Sequence, residues 1–90
     1  MDAAAVPRFR RGVRLREDVA RGRWVVLAPE RAFVPDDVAL EVLKLVDGAR
    51  SIADIATLLA ERFNAPREVI EVDITEMLRD LAERNVVAMA

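Results

Sequence analysis

The stretch SIADIATLLAERFNAPREVI, residues 51–70, decides the fold of this chain. Ser51, with Asp54 three residues later, resembles a capping box, in which Glu or Gln is the usual partner, and it predicts the start of a helix. Four apolar side chains recur at helical spacing and predict its buried side: Ile55, Leu58, Leu59 and Phe63. The segment Asn64-Ala65-Pro66 predicts a turn, because proline is favoured as the first residue of a helix. The stretch therefore predicts two helices joined by a short turn.

The segments on either side of these residues are also helical in period. The inner face of the following helix is predicted to carry Ile70, Ile74, Met77, Leu78 and Leu81. The preceding helix begins at Asp36 or Asp37, either of which can be its N-cap, and ends at Asp47-Gly48. Its predicted apolar stripe consists of Val38, Val42, Leu43 and Val46. Beyond the third helix, residues 86–89 either form a short terminal strand or simply pack against the body of the domain.

The first third of the chain has the pattern of strands. In residues 10–16, Val13 and Leu15 alternate with arginines, which predicts a half-buried strand. Residues 17–22 are polar, end in glycine and suit a hairpin connection. Residues 24–28 are continuously apolar, as expected of a strand covered on both faces. After the turn signal Pro29-Glu30, residues 32–34 form a short third strand that Pro35 ends.

These elements predict an α+β fold that resembles a winged helix-turn-helix. A three-stranded antiparallel sheet is followed by a three-helix bundle, in the order β-β-β-α-α-α, and the sheet and helices must stack in layers to bury their apolar faces. Ninety residues make one domain, residues 1–90. Residues 1–7 are predicted to form a disordered tail.

The composition argues against catalysis. The chain contains no Cys and no His, which excludes disulfides and zinc-finger-type metal sites. The single Ser, Ser51, is a helix cap, and the single Lys, Lys44, is predicted on an exposed helix face. No activated nucleophile, glycine-rich phosphate loop or calcium loop is present, so we expect neither enzymatic activity nor a cofactor. Residues 1–7 lack the apolar stretch of a signal peptide, and no segment approaches the ~20 apolar residues of a membrane span, which favours a cytoplasmic location away from membranes.

Charge is distributed unevenly. Residues 1–35 contain eight Arg and four acidic residues, whereas residues 36–90 contain six basic and twelve acidic residues. The third predicted helix alone has six acidic residues against Arg67, Arg79 and Arg84. A helix that reads DNA needs positive charge, because affinity comes from neutralising phosphates. A winged-helix DNA-binding regulator, with the Arg-rich hairpin as its wing, is therefore the alternative rather than the leading interpretation, and we expect no nucleic-acid partner.

The third predicted strand gives a positive indication of function. It is short, lies between Pro29 and Pro35, and leaves unpaired backbone groups at a sheet edge. An exposed edge is a liability unless it is used or protected. An extended peptide can add there as a strand, with alternate side chains entering an apolar groove. Pairing of two such edges in a homodimer is a further interpretation that the same feature allows.

Four segments give the chain a resemblance to a known family: PRFRRGVRLR (7–16), LAPE (27–30), DGARSI (47–52) and VDITEML (72–78). In order and spacing they resemble the PqqD family of pyrroloquinoline quinone (PQQ) biosynthesis, from about Pro7 to Val87. The resemblance implies a non-enzymatic peptide chaperone, a recognition element for ribosomally made and post-translationally modified peptides (RiPPs). It implies that the partners are the precursor peptide PqqA and the radical S-adenosylmethionine enzyme PqqE, to which the peptide is presented.

The resemblance also implies a site. The peptide adds beside the third strand and packs against the third helix, which gives two groups of residues. The backbone partners are Arg31, Ala32, Phe33 and Val34. The groove wall is formed by Val69, Val72, Asp73, Glu76 and Met77. This chain departs from the family pattern at Pro35, which limits the third strand, and at Asn85, where glycine is common but asparagine also tolerates the left-handed conformation.

Overall fold

The structure, a computed structural model, describes residues 2–90. In chain order it contains β1 (Pro7–Phe9), β2 (Arg14–Asp18), β3 (Arg23–Ala28), β4 (Arg31–Phe33), α1 (Asp37–Leu43), α2 (Ile52–Phe63), α3 (Arg67–Glu83) and β5 (Val87–Met89). The strands β2, β3 and β4 form a three-stranded antiparallel sheet in that order. The predicted α+β fold, with a three-stranded sheet followed by three helices, is confirmed.

The inner face of this sheet packs on the helices. Leu15, Val26 and Phe33 are register partners across the three strands, and Val26 is fully buried. Because cross-strand partners point to the same side of a sheet, these side chains form one face. The core that they join consists of Val13, Val26, Val42, Leu43, Val46, Ile52, Ile55, Ala56, Leu59, Ile74, Leu78, Leu81, Val86 and Val87.

The first predicted strand is displaced along the chain. Residues 10–12 form a turn in which the Val13 N–H donates to the Arg10 carbonyl over 2.9 Å, and Gly12 has φ of +81°. A positive φ is accessible to glycine without the steric penalty that a Cβ brings. The strand therefore starts at Arg14 and runs on to Asp18, which shortens the predicted hairpin connection to residues 19–22. The alternation of Val13 and Leu15 toward the core is as predicted.

The two ends of the chain pair with each other. The strand β1, which the sequence pattern does not predict, pairs antiparallel with β5, with Pro7 opposite Met89 and Phe9 opposite Val87. The predicted tail over residues 1–7 differs from what the structure shows for residues 2–7, where Pro7 is buried and Val6 exchanges backbone hydrogen bonds with Ala90. The carbonyls of residues 3 and 5 also accept from the first two N–H groups of α2. These bonds satisfy helix donors that otherwise lack a partner, which is the physical reason that this segment is held. Met1 lies outside the described residues.

The helix α1 is shorter than predicted. It ends at Leu43, and the chain tightens into two i→i+3 bonds, from Leu45 N–H to the Val42 carbonyl and from Val46 N–H to the Leu43 carbonyl. Val46 is nevertheless buried, as predicted, because these turns keep it against the core.

At the following turn, the backbone N–H groups of residues 50 and 49 donate to the Asp47 carboxylate and hold its pKa below the usual value.

Three side chains predicted to be buried are exposed. Val38 is 64% exposed, Leu58 is 40% exposed and Phe63 is 52% exposed. Phe63 lies on the same side of α2 as Leu59 but at the last turn, past the end of the core. Val38 lies in the first turn of α1, where no other element covers it.

Within residues 2–90, no helix is long and apolar enough to cross a bilayer.

The helix ends follow the sequence signals. The Ser51 hydroxyl accepts from the Asp54 N–H and the Asp54 carboxylate accepts from the Ser51 N–H, each at 3.0 Å, so the predicted capping box is present. Asn64 and Asn85 close α2 and α3 with φ of +50° and +61°. The expectation that Asn85 adopts the left-handed conformation is confirmed.

The capping box gives a stability prediction. We expect Ser51→Ala to lower the free energy of unfolding by about 1 kcal/mol, because the Asp54 N–H loses its acceptor. Urea denaturation followed by circular dichroism measures the change. Ser51→Asn, which preserves an acceptor, is the matched control and should remain close to the parent. Equal loss in both variants would show that the hydroxyl bond contributes nothing.

Candidate binding site

The strand β4 has a free edge. It pairs with β3 on one side only, and within residues 2–90 its backbone makes no hydrogen bond to any other element. The pair Ala28–Arg31 flanks the turn Pro29-Glu30. Because bonded and non-bonded pairs alternate in an antiparallel ladder, Ala32 directs its N–H and C=O away from β3. This edge offers a donor and an acceptor to an incoming strand.

An interaction with α3 fixes the position of this edge. The guanidinium of Arg31 donates to the backbone carbonyl of Arg84, the residue that follows the last turn of α3. Phe33 is half-buried and packs against the core. The strand is therefore anchored at both ends by side chains, while its outer backbone is unpaired.

An apolar groove lies between α1 and α3, with α2 behind it. Its volume is about 450 Å³. Its lining is mostly aliphatic and aromatic: Val38, Leu40, Val42, Leu59, Phe63, Ile70, Ile74 and Met77. Large apolar side chains that are exposed together in a concave surface mark a binding site more often than single exposed ones do.

Three carboxylates surround this apolar surface: Asp37 and Glu41 from α1, and Asp73 from α3. Glu41 is paired with Arg62 over 2.6 Å, which neutralises it. Among the residues that the structure describes, Asp37 and Asp73 have no cation within salt-bridge distance. The groove therefore favours an apolar segment that carries a Lys or Arg side chain.

The structure places the sequence-predicted site residues on three surfaces. Arg31, Ala32 and Phe33 form β4, and Val34 follows it with half of its surface exposed. Asp73 and Met77 line the groove. The remaining three α3 residues, Val69, Val72 and Glu76, lie further round the helix. Val69 and Val72 are more than half exposed. Val72 and Glu76 line a second, smaller depression of about 240 Å³ on the far side of α3. The predicted groove wall is thus divided between two sides of α3.

The wall of the groove opposite α3 is missing from the sequence-based site. It consists of α1 residues, chiefly Val38 and Leu40, together with Phe63 from the end of α2. The sequence contains a weak signal for this wall, since α1 has more apolar side chains than a seven-residue helix can bury on one stripe.

Within residues 2–90, no cluster of three or more acidic side chains is arranged to hold a metal ion.

A protein-family model for "Coenzyme PQQ synthesis protein D (PqqD)" matches residues 23–87, which is more than half of the chain. The chain belongs to the PqqD family. A "PqqA binding protein" of Rhodopseudomonas palustris (strain BisB5) is 48% identical over 82 residues, which cover 91% of this chain and 80% of that protein.

Two solved structures share the fold. The PqqD part of Methylobacterium extorquens PqqCD, described as a functional and stand-alone RiPP recognition element, has a TM-score of 0.77 and 49% identity over 92% of this chain and 88% of that chain. A lasso peptide synthetase B1, solved in complex with the leader peptide, has a TM-score of 0.72 and 27% identity over 91% of this chain and 96% of that chain. The PqqD resemblance inferred from the four sequence segments is confirmed.

The groove gives a prediction that separates its rim from its floor. Replacing Val38 at the rim with Ser should change the free energy of unfolding by less than about 0.5 kcal/mol, because the side chain is already exposed. Ile74→Ala at the floor should cost about 2–5 kcal/mol, because it leaves a cavity in the core. Thermal and urea unfolding of both variants measure the two values. A large loss for Val38→Ser would mean that this side of the groove is part of the core.

Proposed function

We propose that this chain binds the precursor peptide PqqA and presents it to the radical S-adenosylmethionine enzyme PqqE in PQQ biosynthesis. The peptide adds as a strand on the free edge of β4, and apolar side chains beside the added strand enter the groove between α1 and α3. The observation that carries the proposal is the unpaired backbone of β4, in a member of a family whose relatives include PqqA binding proteins. The lasso synthetase with its leader peptide supports peptide recognition on this fold.

The edge of β4 is enough for a short pairing. Three residues, Arg31–Phe33, limit the added ladder to a few hydrogen bonds, each worth about 0.5–1.5 kcal/mol net. Ordering the peptide costs a comparable amount, so the hydrogen bonds position the peptide more than they hold it. Most of the affinity must come from side chains that enter the groove.

The groove has the size and chemistry for this task. At about 450 Å³ it accommodates one or two large apolar side chains. The unpaired carboxylates of Asp37 and Asp73 attract a basic side chain next to them, and Coulomb attraction at a partly desolvated rim is stronger than in bulk water. The preferred peptide therefore combines apolar residues with Lys or Arg in the segment that reaches the groove.

A substitution in β4 tests the added strand. We expect a synthetic precursor peptide to bind the purified chain with a dissociation constant below about 100 μM, which corresponds to ~5.5 kcal/mol. Ala32→Pro should weaken this binding by about tenfold or more, because it removes the outward N–H while the ladder to β3 keeps its own donors. Isothermal titration calorimetry measures both constants.

The matched control for this experiment is Ala32→Thr, which keeps the backbone donor and should bind as the parent does. Circular dichroism verifies that both variants are folded. Peptide binding that survives Ala32→Pro in a folded protein would exclude strand addition at β4. Size-exclusion chromatography at each concentration reports whether a second copy of the chain occupies the same edge instead.

A pair of neutralising substitutions on α3 tests the groove. Asp73→Asn and Glu76→Gln each remove one negative charge, but only Asp73 lines the groove. We expect Asp73→Asn to weaken binding of a peptide that carries Lys or Arg by about three- to tenfold, and Glu76→Gln to leave it within twofold, since a surface charge outside the interface acts weakly. Fluorescence anisotropy at two salt concentrations measures the difference. Equal effects from both residues would contradict the position of the peptide between α1 and α3.

A further inference from the structure

The outer face of the three-stranded sheet combines apolar and basic side chains. Leu27 lies between its register partners Arg14 and Ala32, and Val25 lies opposite Arg16. Because register partners share a face, these residues lie on the side opposite Leu15, Val26 and Phe33, which pack on the core. The helices cover the inner face, whereas Val25, Leu27 and Ala32 of the outer face are not among the side chains that pack on the core.

This face is concave rather than flat. The residues around the β2–β3 hairpin enclose a depression of about 600 Å³, whose lining includes Val25, Leu27 and Ala32 together with the hairpin turn. At the turn, Val19 is 79% exposed. An apolar floor with an exposed aliphatic side chain on its rim suits a projecting segment of another protein.

Arginines outnumber carboxylates around this depression, whose lining includes Arg16, Arg21 and Arg23 against Glu17 and Asp18. Within residues 2–90, none of the three arginines Arg14, Arg16 and Arg23 forms a salt bridge. The ion pair nearest to them in sequence joins Arg21 to Asp18 at 3.9 Å. The groove between α1 and α3 has the opposite sign, with unpaired carboxylates. The molecule therefore presents two depressions of different net charge, and Ala32 of β4 lines only the basic one.

We infer that the outer sheet face is a docking surface for an acidic segment of a second protein that also carries aliphatic side chains. Charge complementarity selects the acidic residues, and the strip formed by Val25, Leu27 and Ala32 takes the apolar ones. The arrangement of unpaired arginines around an apolar floor differs from a nucleic-acid surface, where basic residues follow the phosphate backbone.

The outer face is continuous with the proposed peptide site. In a strand added to β4, every second side chain points to the same side as Ala32. A protein docked on Val25 and Leu27 would therefore touch those peptide side chains as well. This step rests on the proposed function. It identifies the docked protein as the enzyme that receives the peptide. That enzyme would bind the peptide-loaded chain more tightly than the empty chain.

A double charge reversal tests the docking surface. The probe is purified PqqE, and biolayer interferometry measures its affinity for the chain with and without precursor peptide. We expect Arg14→Glu with Arg16→Glu to weaken PqqE binding by about tenfold or more, with a steeper loss at low salt, and to leave peptide affinity within about twofold to threefold. Both arginines are exposed, so the fold should persist.

The matched control is Arg8→Glu with Arg10→Glu, which makes the same change in net charge away from the outer sheet face and should leave PqqE binding unchanged. If the first variant fails to fold, Arg14→Gln with Arg16→Gln removes the charges without introducing new ones and should weaken binding by about threefold to fivefold. Equal losses in the control pair, or no loss in the outer-face pair, would overturn the inference.

Two further outcomes distinguish failure of the docking surface from failure of the proposed function. A salt-sensitive complex with duplex DNA that is tighter than the PqqE complex and is lost in the Arg14/Arg16 variant would make this a nucleic-acid surface and overturn the inference. Failure of the parent chain to bind precursor peptide would instead contradict the proposed function. In that case, loss of PqqE binding to the empty chain in the Arg14/Arg16 variant alone would still support the docking surface.

Discussion

The pairing of β5 with β1, rather than with β4, is the constraint on which the rest of the molecule depends. The hydrogen bonds of β5 go to Pro7–Phe9, and β5 is not part of the three-stranded sheet. This ribbon holds residues 7–9 against residues 87–89, and the residues just before β1 support α2 through two further backbone bonds. The consequence is an open edge at β4, while β1 and β5 complete each other.

The helices add an apolar groove to the domain that carries this open edge. The capping box at Ser51 and the bonds from Arg67 to Thr57 and to the Ala53 carbonyl fix α2 against α3. The short helix α1 lies across from α3, and its Val38 side chain is exposed. Some apolar side chains of the three helices therefore line a groove instead of being buried in the core. Arg31 joins the edge strand to the end of α3.

Local signals in the sequence predicted most of the fold. Ser51, Asp36 and the asparagines at helix ends act within a few residues of their own position, and the alternation around Leu15 and the apolar run of β3 are equally local. A terminal strand was one of two alternatives for residues 86–89, and β5 confirms it. The strand β1 and its pairing with β5 were not predicted, because three residues are too few for a periodic signal and their partner lies far away in the sequence. The same limit explains the errors at Val38 and Phe63: helical period shows which side of a helix is apolar, but only the tertiary arrangement shows where the core ends.

For the site, the resemblance of sequence segments indicated the edge strand and α3, and the structure adds the α1 wall that no motif contains. Asp73 and Glu76 illustrate the difference, since both are acidic residues of one helix and only three positions apart, yet one lines the groove and the other faces away from it.

The brevity of β4 also has a kinetic consequence. Pro35 follows closely after Phe33, so an added strand cannot lengthen its ladder in that direction, and differences in affinity among related complexes arise mainly from their dissociation rates. A peptide added to β4 as we propose would therefore owe its residence time mainly to the side chains in the groove rather than to its main-chain bonds.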